Sequence, residues 1–167
     1  MKPVQSKTSA TNSSSRVWIF QANPKKYRIE DALQAEQSEY WSLNQHVQDI
    51  HDGDRVLIWL SGSNAGIYAV GTVVGEPVLQ MDSPAGISYW RDPAEGKKLK
   101  PRALVRYDEV FLDCPLEKAL LQLDPLLSNM RIMRFAQGTN FPVTEAEWQA
   151  IKKRLHSTSG NNTPVTE

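Results

Sequence analysis

The sequence predicts an α+β fold: a mixed, mainly antiparallel sheet curled into a barrel, with short helices at its rim. Three observations predict it. Residues 55–74 read as two strands, 56–60 and 67–74, rich in β-branched and aromatic side chains. Gly62, Asn64 and Gly66 between them supply the positive-φ conformations of a tight turn. Short strand signals alternate with short helical ones along the whole chain, with no internal repeat. Near the end, Thr144-Glu145-Ala146-Glu147 forms a capping box that opens a helix.

Taken in order, Val17-Trp18-Ile19-Phe20-Gln21 is a short apolar strand, stopped at Pro24 because proline cannot donate to a sheet ladder. Ile29, Ala32, Leu33 and Ala35, with acids between them, predict a helix within residues 28–39. Residues 41–46 are a second extended piece, and Asp52-Gly53-Asp54 a turn leading into the 56–60 strand. Gly75, Pro77, Pro84 and Gly86 mark the stretch after Val74 as loop or irregular strand, and residues 90–96 as a polar loop follow it. Residues 100–111 alternate as a strand, with Ala103, Val105 and Tyr107 on one face. Leu116, Ala119, Leu120 and Leu123 place a helix over 116–123, and residues 130–135 are either a short helix or extended. In the last helix Trp148, Ile151 and Leu155 form the buried stripe, while Lys152, Lys153 and Arg154 suit its C-terminal dipole.

A chain of 167 residues is sufficient for one domain, expected over 16–155. The flanking stretches 1–15 and 156–167 carry too few apolar side chains to offset the entropy of ordering and are expected as disordered tails. Nineteen basic residues balance nineteen acidic ones, so no global field draws the protein onto nucleic acid. Local clusters remain: Lys25, Lys26 and Arg28; then Arg91, Lys97, Lys98, Lys100, Arg102 and Arg106; then Lys152 to Arg154. Each reads either as solvated surface or as the basic rim of a pocket. Cys114 is the sole cysteine, which excludes an internal disulfide and a thiolate metal site and fits a reducing compartment such as the cytoplasm. No apolar run approaches the roughly 20 residues of a bilayer-spanning helix.

Catalytic sets are not visible. His46, His51 and His156 lack metal-ligand spacing, and Gly62 to Gly66 lacks the lysine and helix of a phosphate loop. Asp52, Asp54, Asp82 and Asp92 all sit in turns, where aspartate belongs structurally. Trp18 and Trp148 read as core anchors. Trp41, Trp59 and Trp90 stand at strand ends or in loops beside Gly, Ser or Asn, where a large ring is either a lid on the core or a wall of a recognition pocket. Aromatic walls suit nucleobases, and side-chain amides such as Asn44 or Gln137 suit their edges. The reading is a binding module, without cofactor or metal.

Five segments then occur in register: Trp18-Ile19-Phe20-Gln21-Ala22-Asn23-Pro24, Trp41-Ser42-Leu43-Asn44-Gln45, Gly53 to Trp59, Ala65 to Gly71, and Gln137-Gly138-Thr139-Asn140-Phe141-Pro142. Together they closely resemble the EVE domain family over about residues 17–155. The resemblance implies a PUA-like fold, a partly open mixed β-barrel with flanking short helices related to YTH domains. It also implies recognition of a modified base flipped out of DNA or RNA: a methylated or hydroxymethylated cytosine, or N6-methyladenine. Carried over, Trp41, Ser42, Asn44, Trp59, Ser61, Trp90, Gln137, Gly138 and Thr139 form the base pocket, with Phe20, Gln21 and Asn23 at its floor. Lys97, Lys98, Lys100 and Arg102 are the candidates for phosphate contacts. The expected partner is modified DNA or RNA, with a separate nuclease or motor protein beside it, and the expected state is a monomer without membrane attachment. Replacing Trp41 with alanine is expected to abolish discrimination and leave stability nearly intact. Two rivals use the same pocket: a binder of a free nucleoside or other small molecule, and a hydrolase with His46 or Glu39 as general base.

Overall fold

The computed structural model describes residues 15–159. The tails expected beyond Ser14 and from Gly160 onward lie outside the described residues, but the last helix continues to Ser159, past the boundary expected at Leu155.

The 55–74 hairpin is present as β3 (Arg55–Leu60) and β4 (Gly66–Gln80). Around it are β1 (Val17–Ala22), β2 (Ser38–Ser42), β5 (Lys100–Val110), β6 (Leu116–Glu117) and β7 (Asn140–Val143). These make one seven-stranded sheet in the order β2-β5-β4-β3-β1-β7, with β6 added to β4. β1 runs parallel to β3, and all other pairings are antiparallel. The α+β, PUA-like architecture expected from the sequence is therefore the observed one.

Alternation along the strands builds two cores. Trp18, Phe20 and Ala22 of β1 join Val56, Ile58 and Leu60 of β3, Trp41 of β2, and Ala103 and Val105 of β5 inside the curled sheet. Val17, Ile19, Leu57 and Trp59 point the other way, against Trp148 and Ile151 of α6 (Glu145–Ser159). Both faces of the central pair are thus dry, as a parallel pair requires. Asp54 ties the strand starts together by accepting from the Arg16 N–H (3.0 Å), the Trp18 indole N–H (2.9 Å) and the His51 N–H (2.9 Å). The capping box forms reciprocally: the Thr144 N–H donates to Glu147 Oε1 (2.9 Å), and the Glu147 N–H to Thr144 Oγ1 (3.2 Å).

Several local expectations change. After Val74 the irregular-strand alternative is the observed one: β4 runs on to Gln80, with a register shift between Val74 and Val78 that accommodates Pro77 where no ladder donor is needed. The helix expected over 116–123 shrinks to α4 (Lys118–Leu121), because Leu116 and Glu117 pair with β4 instead. Two short helices occupy segments expected to be loops. α2 (Pro84–Tyr89) is capped by Ser83, and α3 (Pro93–Gly96) by Asp92. The helix in 28–39 is α1 (Ile29–Ala35), and α5 (Arg131–Arg134) settles the 130–135 alternative as helix.

The sheet stays open between its outer strands β2 and β7. Side chains bridge that seam where a ladder would otherwise run. Asn140, 2% exposed, accepts from the Asn44 and Gln45 N–H groups (2.8 and 3.2 Å) and donates to the Ser42 carbonyl (3.3 Å).

Candidate functional site

Beside this seam lies a cavity of about 720 Å³. The end of β1, strand β2, the start of β5, the α2–α3 segment and the loop 136–139 enclose it. The loop is held by amides from elsewhere in the chain. Gln21 Nε2 donates to the carbonyls of Ala136 and Gly138 (3.0 and 2.9 Å), and the Gln21 carboxamide thereby clamps both ends of the bend. Gln45 Oε1 accepts from the Thr139 and Asn140 N–H groups (2.9 and 3.1 Å), and Asn44 Nδ2 donates to Thr139 Oγ1 (2.7 Å). Gly138 sits at φ +129°, a conformation side-chain-bearing residues rarely adopt.

Two tryptophans line the cavity. Trp41 is 8% exposed, packs on Phe20 at 6.1 Å between ring centres, and donates its indole N–H to Tyr107 (2.9 Å). Trp90 meets Tyr27 edge-on at 5.0 Å and donates its indole N–H to Asp82 Oδ2 (2.9 Å). Below them two carboxyl groups and one guanidinium are buried. Arg102, 1% exposed, donates to Ser42 Oγ (3.0 Å) and to the carbonyls of Gln80 and Lys98 (3.1 and 3.2 Å), with Asp82 3.9 Å away. Glu39 accepts a hydrogen bond from the Tyr27 hydroxyl on one oxygen and from the Tyr107 hydroxyl on the other. Burial pushes the Glu39 carboxyl up to about 7, against the pull of these two phenols, with Asp82 and Glu36 adding to the rise. Burial also raises Asp82, opposed by the Trp90 hydrogen bond and by Arg102.

Of the residues expected in a base pocket, Gln21, Asn23, Trp41, Ser42, Asn44, Ser61, Trp90, Gln137, Gly138 and Thr139 do line this cavity. Trp59 does not. It shares the parity of Leu57, is 2% exposed, and packs in the layer beneath α6. Phe20 is fully buried behind Trp41 and supports the wall instead of lining the floor. Arg102 is no surface cation, since its guanidinium is closed off beside Asp82 and Ser42; a phosphate role for it is overturned by its burial. Lys100 lies on the lining, whereas Lys97 and Lys98 are exposed outside it, Lys98 paired with Glu95 at 2.6 Å. Trp41 belongs to the core as well as to the cavity, so its truncation is expected to cost stability, unlike the expectation from sequence.

Tyr27, Asp82 and Gln45 were not among the expected pocket residues, and Glu39 entered only as a candidate base. For Glu39 a signal existed: it stands two residues before Trp41 on a strand and so shares its face. Asp82 had none, because its turn reaches the cavity through the fold alone. Among the described residues no group of three or more His, Cys, Asp and Glu is placed to hold a metal ion, and no helix is long and apolar enough to cross a membrane.

Comparison with known proteins adds the family context. The EVE domain model matches residues 16–154. No curated protein sequence matches the chain. Among solved structures, a hypothetical protein from Leishmania major superposes with a TM-score of 0.64 at 18% identity, covering 87% of this chain and 97% of the other. Rpa0253 from Rhodopseudomonas palustris gives 0.61 at 19% identity, covering 89% and 98%. Human THYN1, solved in complex with DNA containing 5-methylcytosine, gives 0.61 at 17% identity, covering 90% and 100%. At these identities the structural likeness speaks for the fold.

Proposed function

The chain belongs to the EVE domain family, and from that premise we propose that it binds nucleic acid as a non-catalytic reader, taking a modified base into the cavity between Trp41 and Trp90. One observation carries this reading: two tryptophans and a set of buried polar groups line a single cavity whose volume lies in the range of small-molecule binding sites. A flipped base loses its stacking in the duplex, at a cost of a few kcal/mol, and regains part of it against aromatic walls at about 1–3 kcal/mol per base. The similar fold of human THYN1, solved with 5-methylcytosine DNA, supports the ligand class. Lys100 at the cavity, with Lys97 and Lys98 on the adjoining turn, supplies the phosphate contacts. The domain acts as a cytoplasmic monomer without a cofactor, and any cutting or translocation falls to a separate nuclease or motor protein.

The test is fluorescence polarisation with matched DNA and RNA oligonucleotides carrying 5-methylcytosine, 5-hydroxymethylcytosine, N6-methyladenine or no modification, at one salt concentration. Preference for one modified probe is the expected result. Equal, weak binding to all, with tight binding of a free nucleoside, would replace the reader with a small-molecule binder.

A further inference from the structure

The polar groups around the cavity divide into those already engaged in holding the fold and those with accepting capacity left. Asn44, Gln45 and Gln21 are engaged, since their amides fasten the loop 136–139. Ser42 Oγ already accepts from Arg102. Two carboxylates keep accepting capacity: Asp82 takes one hydrogen bond per oxygen, from the Ser83 N–H and the Trp90 indole, and Glu39 takes one per oxygen, from Tyr27 and Tyr107, while an ionised carboxylate offers about four lone-pair sites. Asp82 has the Arg102 guanidinium 3.9 Å away. Glu39 differs. It lines the cavity, lies on the same face of β2 as Trp41, and has no cation among the partners that bind it.

We propose that Glu39 is the specificity-determining residue of this cavity, accepting a hydrogen bond from an amine on the edge of the bound ring and so selecting aminopyrimidines or aminopurines over rings that lack the amine. The inference rests on the reading of the cavity as a base pocket. Such an edge contact is a hydrogen bond to a charged group that is itself buried, and an unmatched ring leaves that carboxylate without it. Stacking on Trp41 or Trp90 is indifferent to ring identity, so discrimination between rings has to come from the polar groups of the lining. The groups that act on Glu39 are Tyr27 and Tyr107, which donate to it, and Asp82 and Glu36, whose charges oppose its ionisation. Arg102 stands beside Asp82, on the same floor.

The experiment compares oligonucleotides and free nucleosides in pairs that differ by the amine alone: 5-methylcytosine against 5-methylpyrimidin-2-one, and adenine against purine. For the wild-type protein at pH 8 the amine is expected to improve affinity about tenfold or more for the ring that binds. Glu39→Gln, an isosteric replacement with one neutral acceptor oxygen in place of a carboxylate's two, should reduce that ratio. The wild-type ratio should also shrink on going to pH 6, as the carboxyl protonates and loses acceptor capacity, which needs no variant to fold. If a modified probe binds but deleting its amine changes nothing, or if Glu39→Gln keeps the wild-type ratio, the assignment of Glu39 is wrong and the base pocket stands. If no oligonucleotide or nucleoside binds at either pH, the pocket reading fails and this assignment with it.

Discussion

Glu39 also makes a quantitative prediction about stability, independent of any ligand. Its carboxyl titrates near 7 in the folded protein against an ordinary 4.5, burial being the main cause. Between those values the folded state holds a proton that the unfolded chain releases, so stability falls as pH rises through the window and the loss is complete above about 7. At about 1.4 kcal/mol per pH unit, the group contributes roughly 3 kcal/mol of destabilisation at alkaline pH relative to pH 4.5. Glu39→Gln removes the titration while keeping the shape and an acceptor for one phenol. Urea unfolding of both proteins from pH 4.5 to 8 reads the effect, because ionisable groups that do not interact with Glu39 cancel in the difference. Asp82 and Glu36, whose charges act on Glu39, respond to the substitution as well and belong to the same effect. The variant should gain on the wild type by roughly 3 kcal/mol across that range. A difference that stays flat with pH would show that Glu39 ionises normally and that its environment is far wetter than its 6% exposure implies.

Three further outcomes follow from the same geometry. Trp41→Ala should destabilise by about 3–5 kcal/mol, read as a lowered urea midpoint, because the ring fills the inner core against Phe20 as well as lining the cavity; an unchanged midpoint would make it a lid. Gly138→Ala should cost about 1–3 kcal/mol, from the positive φ and from a Cβ placed 3.3 Å from Gln45 Oε1, and should weaken ligand binding by loosening the loop; thermal melting and polarisation check the two parts. Replacing Lys97, Lys98 and Lys100 together with glutamine should reduce the slope of log affinity against log salt by up to about 0.9 per lost phosphate contact, leaving the preference among modified probes unchanged; an unaltered slope would put the phosphate path elsewhere.

Much of the architecture was legible from local signals. The β3–β4 hairpin announces itself through β-branched runs and a glycine-bearing turn, and α6 through its capping box, because both depend on contacts a few residues apart. Elements governed by distant partners were less legible. Leu116 and Glu117 carry a helical pattern, yet they pair with β4, since a free strand edge satisfies their backbone better than one more helical turn. Trp59 shows the limit most clearly. Period-2 alternation states that it opposes Ile58, but with both faces of the central strands covered, alternation does not say which face meets the cavity.

By itself the sequence determined the α+β plan, because capping and turn chemistry are written in neighbouring residues; the family and the segments that gather at one site came from the resemblance of five segments to EVE domains. Tertiary structure decided which of those side chains do the holding and which are left to meet a ligand. Arg102 moved from the expected surface to the buried floor, Trp59 to the opposite core, and Asn44 into loop support. Glu39 became a buried carboxylate on the cavity lining, with two tyrosines, one before α1 and one on β5, closing around it. The physical reason is that burial and hydrogen-bond satisfaction are properties of three-dimensional neighbours, and those neighbours lie 12 and 68 residues away along the chain.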